Sequence, residues 1–366
     1  MQENGIEILK KIEDNGYEAY IVGGFVRDYL MNKESFDIDI CTNATPQELS
    51  SIFGDATIPT LKYGAVTLDY KKYRYEITTF RLESSYDDYR HPDSFEHTNQ
   101  LIEDLKRRDF TINTFCMNSK GEVIDLLGGT SDLNSHTVRT VGDPDIRFRE
   151  DVLRLLRAVR FATTLNFEID EETKQSIIKN RHLLTKLSYN RKKEELTKIF
   201  TSPNVKTGIN LLIELKLDEV LKLSNLNNLI IVNDILGIWA QLGILDIYPF
   251  SNNEKEIIIK ISDAMKDDID QYSLYNNGLY IMSIVASIKG FSKTELTKMY
   301  EDLYIESRSD INININELCS KLEIKPGNWI KEMYLSVEKA IISGKLKNEK
   351  EDIYKYVLDY LKHIES

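Results

Sequence analysis

Long apolar runs are missing from this chain. Although 42% of its 366 residues are hydrophobic, no stretch approaches the ~20 apolar residues that a membrane-crossing helix needs. Cysteine is scarce and odd in number. Cys41, Cys116 and Cys319 are far apart, with neither zinc-ligand spacing nor a disulfide framework, which points to a reducing cytoplasm. The five histidines show no ligand spacing and no His-Asp doublet, so no metal-dependent phosphohydrolase module is expected. Net positive charge is also lacking: 47 Lys and Arg face 59 Asp and Glu, giving −12, which argues against a general nucleic-acid coat. An RNA-binding chain of this balance must gather its cations locally. Candidates are Arg154–Arg157–Arg160, Arg191-Lys192-Lys193 and Lys345 to Lys350, each of which can equally be a solvated face. The first residues, Met1-Gln2-Glu3-Asn4, are polar and acidic, unlike a signal peptide.

What is present begins with Gly23-Gly24-Phe25-Val26-Arg27-Asp28. Tyr20-Ile21-Val22 reads as a short strand and Val26 to Met31 as a helix, with the glycine pair as the turn between them. Glycine lets backbone approach a ligand closely, and a helix start offers N–H groups and a positive dipole end. Arg27, in the first turn, adds a guanidinium suited to phosphate. The plainer alternative is an ordinary strand–helix turn with a surface Arg–Asp pair.

Asp37-Ile38-Asp39 follows. On a strand, side chains alternate, so Asp37 and Asp39 share one face while Phe36, Ile38 and Ile40 form a buried one. Two carboxylates held together repel unless something positive joins them. Mg²⁺ fits, being a hard ion that takes oxygen ligands and keeps room for phosphate and water. Further on, Ala65 to Tyr70 and Tyr73 to Phe80 alternate like a hairpin across Lys71-Lys72. Tyr75, Ile77 and Thr79 share one face, and Glu76 the other. If this strand lies beside the Asp37 strand, Glu76 completes a three-carboxylate cluster able to serve two metals. Otherwise it is a solvent-facing edge residue.

The chain resembles the class II tRNA nucleotidyltransferases, the CCA-adding enzymes and bacterial poly(A) polymerases. Five segments carry the likeness in order: Gly23 to Asp28, Phe36 to Ile40, Tyr75 to Arg81, Arg107 to Asn113 and Glu150 to Phe161. It implies an α+β chain, with a polymerase-β-like mixed-sheet nucleotidyltransferase head over residues 1–135. An all-α neck (136–204), body (205–300) and tRNA-binding tail (301–366) would follow. The implied activity is template-independent addition of C, C and A from CTP and ATP to the 3′ acceptor end of tRNA, with Mg²⁺ as cofactor. No membrane and no obligate protein partner are expected. The alternatives are an enzyme adding only the terminal adenosine, a poly(A) polymerase, and a non-catalytic RNA-binding protein on the same fold.

The resemblance also implies roles. Asp37, Asp39 and Glu76 are the catalytic carboxylates, the two aspartates holding the metal. Gly23, Gly24, Arg27 and Arg108 would meet the triphosphate, and Asp109 and Asn113 the sugar or phosphate. Arg149 to Ala162 reads as one helix with an apolar stripe, on which Asp151, Arg154 and Arg157 recur every three residues. Cytosine and adenine both present an amino donor beside a ring-nitrogen acceptor, matched by Asp151 and Arg154. Uracil and guanine present the reverse, and each buried mismatch costs about 1–3 kcal/mol. Arg157 supports the pair. The loop Arg81 to Asn99 resembles the family's flexible loop through Tyr86, Asp88, Arg90 and Pro92. Ser188 to Phe200 resembles its neck helix, with Asn190 where the family usually has Glu. Trp239 reads as core. Alternation over Ile311 to Asn316 fits either a short strand or a helix start.

Overall fold

The computed structural model describes residues 2–54, 57–60, 64–83 and 95–364. The chain divides into two compact units, Met1–Asn227 and Asn228–Ser366.

The first unit opens with a mixed sheet. Its strands are β1 (Ala19–Val22), β2 (Asp39–Thr42), β3 (Thr57–Thr60), β4 (Ala65–Tyr70), β5 (Tyr73–Thr79), then β8 (Cys116–Met117) and β9 (Val123–Ile124). They lie in the order β3-β4-β5-β2-β1-β8-β9. The β2–β5 pair is parallel and its neighbours are antiparallel. Between them in sequence, β6 (Arg81–Glu83) pairs with β7 (Phe95–His97) outside this sheet. The expected β4–β5 hairpin is present, with Tyr75, Ile77 and Thr79 buried and Glu76 on the exposed face. Helices α1 (Gln2–Glu13), α2 (Gly24–Leu30), α3 (Pro46–Phe53) and α4 (Leu101–Lys106) accompany the sheet.

Two sequence expectations change. The strand begins at Asp39, so Asp37 sits in the extended approach to β2 and not on it. Phe36 is 74% exposed, whereas Ile38 and Ile40 are buried. The apolar alternation therefore starts one step later than the sequence suggests, where pairing with β1 and β5 begins.

After α5 (Gly129–Asn134) and the parallel ladder of β10 (Thr137–Val138) with β11 (Glu168–Ile169), the unit is helical. Asp143 caps α6 (Pro144–Glu150) through the Asp145 and Ile146 N–H groups, with Pro144 at the first position, where its missing donor costs nothing. The single helix expected over Arg149 to Ala162 is two. After α6 the chain leaves helical geometry at Asp151 and resumes in α7 (Leu153–Leu165). Asp151 accepts from the Leu153 N–H (3.0 Å), a local turn just ahead of the new helix. Then come α8 (Glu171–Asn180), α9 (Tyr189–Phe200), α10 (Val205–Glu214) and α11 (Leu217–Leu221). The α9 bounds match the neck helix expected from Ser188 to Phe200.

The second unit is helical among its described residues: α12 (Ile235–Leu242), α13 (Asn252–Ala264), α14 (Gln271–Lys289), α15 (Lys293–Glu301), α16 (Ile315–Leu322), α17 (Trp329–Ile342) and α18 (Lys350–Ile364). Trp239 is core, against Tyr248 and Phe250. Asn314 caps α16 by accepting from the Glu317 N–H, so the Ile/Asn alternation is a helix start. Gly278 interrupts α14 with φ 74° and ψ 163°, a conformation available to glycine and strained for other residues. Before it, Tyr272 and Tyr275 pack on the core built from Ile311, Met333, Val337 and Ile353. Among the described residues, no helix is long and apolar enough to cross a membrane.

Candidate active site

Parallel pairing aligns Asp39 with Glu76 across β2 and β5. Aligned residues of neighbouring strands point to the same face, so the third carboxylate stands beside the second. Asp37 approaches from the preceding segment. Burial, then the Asp37 and Glu76 charges, push the Asp39 carboxyl up to about 6, and Arg108 partly opposes them. Among the described residues, no three Asp, Glu, His or Cys side chains form a ready-made metal cage. The donors are nevertheless all oxygen, and their repulsion is the kind a divalent cation relieves. A hard ion that takes one or two carboxylates and fills its shell from phosphate and water fits this set.

Opposite Asp39 lies the glycine turn. Gly23 adopts φ 80° and ψ −132°, and its N–H donates to the Phe115 carbonyl (3.1 Å). A Cβ there would stand 3.4 Å from Nη1 of Arg108. Arg108 thus lies against the turn and acts on Asp39, linking the expected phosphate element to the carboxylates. Its Nε is buried with no hydrogen-bond partner. Such an orphaned donor is costly unless something accepts from it, and a triphosphate oxygen is the right kind of acceptor. Asp104, fully buried, holds this corner. It accepts from Nε and Nη2 of Arg107 (2.9 and 2.7 Å) and, more weakly, from Nη2 of Arg108 (3.4 Å). Sequence reading passes over Asp104, although its i,i+3 and i,i+4 spacing to the two arginines is a usable signal.

Arg27 lies in the last turn of α2, not the first turn expected, and is more deeply engaged than a surface Arg–Asp pair. It is buried, with Nη1 donating to Asn113 Oδ1 (2.6 Å) and Nε and Nη2 to Asp28 Oδ1 (2.9 and 2.7 Å). Asn113 in turn donates to Asp109 Oδ1 (3.0 Å). Asp109 receives Nε and Nη2 of Arg157 (2.8 and 2.6 Å). Burial works to raise the Asp109 carboxyl, but Arg157, the Asn113 amide and Arg154 outweigh it and hold it at about 2. A continuous polar relay therefore runs from α2 to α7. The expected sugar- and phosphate-positioning residues, Asp109 and Asn113, form its middle.

Asp151 stands at the α6–α7 break, half-buried, and burial raises its carboxyl against the pull of Arg154, Arg191 and Arg157. Arg154 is buried and fixed on three sides. It donates to Glu150 Oε2 (2.9 Å) and to the carbonyls of Arg147 (3.2 Å) and Arg107 (2.8 Å). Glu150, which sequence reading does not single out, also receives Arg147 (2.7 Å). Each member of the basic row Arg154–Arg157–Arg160 is paired, with Glu150, Asp109 and Glu195 respectively. The expected loop residues Tyr86, Asp88, Arg90 and Pro92 lie outside the described residues.

Known proteins resemble this chain along nearly its whole length. The CCA-adding enzyme of Ligilactobacillus salivarius is 36% identical, over 95% of this chain and 94% of that one. That of Lactobacillus helveticus is 35% identical, over 96% of each. This chain belongs to the CCA-adding enzyme family. It is a nucleotidyltransferase, and members of the family are in general metal-dependent. Family models described as the poly A polymerase head domain, a probable RNA and SrmB-binding site of polymerase A, and a putative tRNA nucleotidyltransferase domain 2 match residues 19–139, 166–223 and 234–357. Among solved structures, the Bacillus stearothermophilus CCA-adding enzyme in complex with CTP superposes with a TM-score of 0.85. It is 29% identical and is matched over 99% of this chain and 98% of that one. The Thermotoga maritima enzyme complexed with tRNA shares the fold, with a TM-score of 0.69 at 22% identity over 97% and 94% of the two chains.

Proposed function

We propose that this chain rebuilds the CCA end of tRNA, adding C, C and A from CTP and ATP without a nucleic-acid template and releasing pyrophosphate. The observation that carries this reading is the meeting of Asp39 and Glu76 with the Gly23 turn and the unsatisfied Arg108 donor. Carboxylates for a cation and donors for a triphosphate then face one reaction space.

In this reading Asp37 and Asp39 hold Mg²⁺, with Glu76 completing the negative cluster. When bound, the ion neutralises the triphosphate and makes the tRNA 3′ hydroxyl a better nucleophile toward the α-phosphate. Gly23 and Gly24 bring backbone N–H groups close to the phosphates, and Arg108 gives its Nε to one of their oxygens. Arg27 positions this corner through Asn113, which with Asp109 fixes the sugar side. Asp151 accepts from the amino group of cytosine or adenine, and Arg154 donates to the adjacent ring nitrogen. Arg157 steadies the pair from Asp109. Rigid anchoring of Arg154 suits this role, because a movable guanidinium would adapt to the wrong base. Catalysis is then mainly positioning and charge neutralisation.

The same reading assigns the catalytic head to residues 1–135, the base-reading neck to 136–204, the body to 205–300 and the tRNA-holding tail to 301–366. The site of action is the cytoplasm, in keeping with three free buried cysteines. The test uses three tRNA transcripts ending before CCA, after C and after CC, each given Mg²⁺ and labelled CTP or ATP. Completion of all three to CCA, followed by arrest, is the expected result. Incorporation of ATP on the CC-ended transcript alone would make the chain an A-adding enzyme. Adenosine ladders would make it a poly(A) polymerase, and no incorporation would leave a binding protein.

A further inference from the structure

Three guanidinium groups converge on one phenyl ring. Phe161, on α7, is 7% exposed. The guanidinium carbon of Arg160 stands 3.9 Å from its ring centre, that of Arg157 5.2 Å and that of Arg27 5.3 Å. Arg157 reaches the ring as an i,i+4 neighbour on the same helix, whereas Arg27 comes from α2. All three lie within the ~6 Å at which a cation is drawn to the negative face of an aromatic ring. Phe110, the residue after Asp109, also packs on Phe161 in a T-shaped contact, 5.6 Å between ring centres.

Ion pairs alone do not explain the convergence. Each arginine has its own carboxylate: Asp28 for Arg27, Asp109 for Arg157 and Glu195 for Arg160. The Asp28 pair ties Arg27 only to its own helix. Toward α7, Arg27 is held by the hydrogen-bonded chain through Asn113 and Asp109 to Arg157 and, directly, by the Phe161 ring. The ring closes that chain into a loop, from Arg27 through Asn113, Asp109, Arg157 and Phe161 back to Arg27. A closed loop fixes the spacing of its members, where an open chain lets its ends drift. Like charges make the closure matter, because Arg27 and Arg157 repel each other while the shared ring attracts both.

We propose that Phe161 is a positioning residue for the incoming nucleotide. Its ring sets Arg27 against Arg157, and so fixes the spacing between the glycine turn and the Asp109–Asn113 side of the site. The inference rests on the nucleotide-addition reading above and deepens it. Phe161 meets no nucleotide itself and acts through the two arginines. Arg157 keeps its two donations to Asp109 without the ring, whereas Arg27 crosses to this side through one hydrogen bond, to Asn113. Arg27 is therefore the member that the ring holds most. The base-reading Arg154 stands outside the loop, anchored by Glu150 and two backbone carbonyls. Weakening the ring contact should thus loosen CTP and ATP alike and leave the choice of CTP over UTP in place.

The test replaces Phe161 in the full chain by mono-, di- and trifluorophenylalanine. Fluorine drains the negative face of the ring with little change of shape, so a packing role alone predicts no trend. KM and kcat for CTP and ATP are measured on tRNA transcripts ending before CCA and after CC, with Tm and the CTP/UTP ratio of kcat/KM alongside. The KM for both nucleotides should rise stepwise with each fluorine, several-fold at the third, while the CTP/UTP ratio holds. Phe161→Leu, which has no aromatic face, should raise KM at least as far. Phe167→Leu is the control: Phe167 is also buried but lies outside the loop, and its loss should lower Tm without raising KM. A flat KM across the fluorinated series would overturn the positioning role while leaving nucleotide addition standing. An equal rise in KM for Phe167→Leu would overturn it in favour of general loosening. The fluorinated rings nearly keep the native volume, so they report even if Phe161→Leu fails to fold. A wild-type chain that adds neither nucleotide would remove the activity reading and this inference with it.

Discussion

Arg157 donates through both Nε and Nη2 to a single oxygen of Asp109, forty-eight residues away in sequence. This pair joins α7 to the segment that carries Arg108. Asp109→Asn should therefore destabilise the protein by about 1–3 kcal/mol, because Arg157 loses its buried partner. The pH dependence has a definite sign. The Asp109 carboxyl is depressed to about 2, against about 4 in an unfolded chain. Its contribution is present above pH ~4 and is lost as pH falls toward ~2. Urea melts across this window should show wild type losing stability faster than Asp109→Asn, and parallel losses would contradict the pair's role.

Asp39 has the opposite sign. Its carboxyl is raised to about 6, so ionisation costs the folded state stability as pH rises from about 4 through about 6. In chelator at neutral pH, Asp39→Asn should raise stability by about 1–3 kcal/mol while abolishing nucleotide addition. Thermal melts and an addition assay check both halves. A variant no more stable than wild type would show that the three carboxylates do not repel as described.

Asp151→Ala should relax base choice more than it weakens triphosphate binding. Loss of one buried acceptor predicts a fall in discrimination against UTP of about tenfold or more. The ratio of kcat/KM for CTP and UTP measures it, and an unchanged ratio would remove Asp151 from base reading.

Gly23→Ala combines backbone strain at φ 80° with a new Cβ 3.4 Å from the Arg108 guanidinium. Gly16 offers a matched control, with φ 87° and open space for at least 4 Å around the position a Cβ would take. Each alanine should cost about 1–3 kcal/mol of stability. Only Gly23→Ala should raise the KM for both nucleotides several-fold. Equal kinetics in the two variants would mean the turn does not meet phosphate.

Much of this site is legible in the sequence because its signals are local. Period-two alternation puts Glu76 opposite Tyr75 and Ile77, and Ser188 announces α9. The break at Asp151 is not legible, because the apolar stripe of Val152, Leu155, Leu156 and Val159 runs up to it without a proline or glycine. What sets it is partly remote: Arg154 reaches back 47 residues to the Arg107 carbonyl. The Arg27–Asn113 bond spans 86 residues, so local pattern places Arg27 near phosphate without showing that Asn113 already engages it. Phe36 departs from expectation because alternation cannot say where strand pairing starts.

The parallel register of β2 and β5 sets Asp39 beside Glu76 and, in the next step, Ile40 beside Ile77. Catalytic alignment and hydrophobic burial are thus one geometric event. A slip of one residue would turn the carboxylates inward and the isoleucines outward, a state too costly to persist. The fold therefore acts as quality control on its own chemistry: a chain that sets these strands wrongly fails to fold, and does not accumulate as a slow or error-prone enzyme.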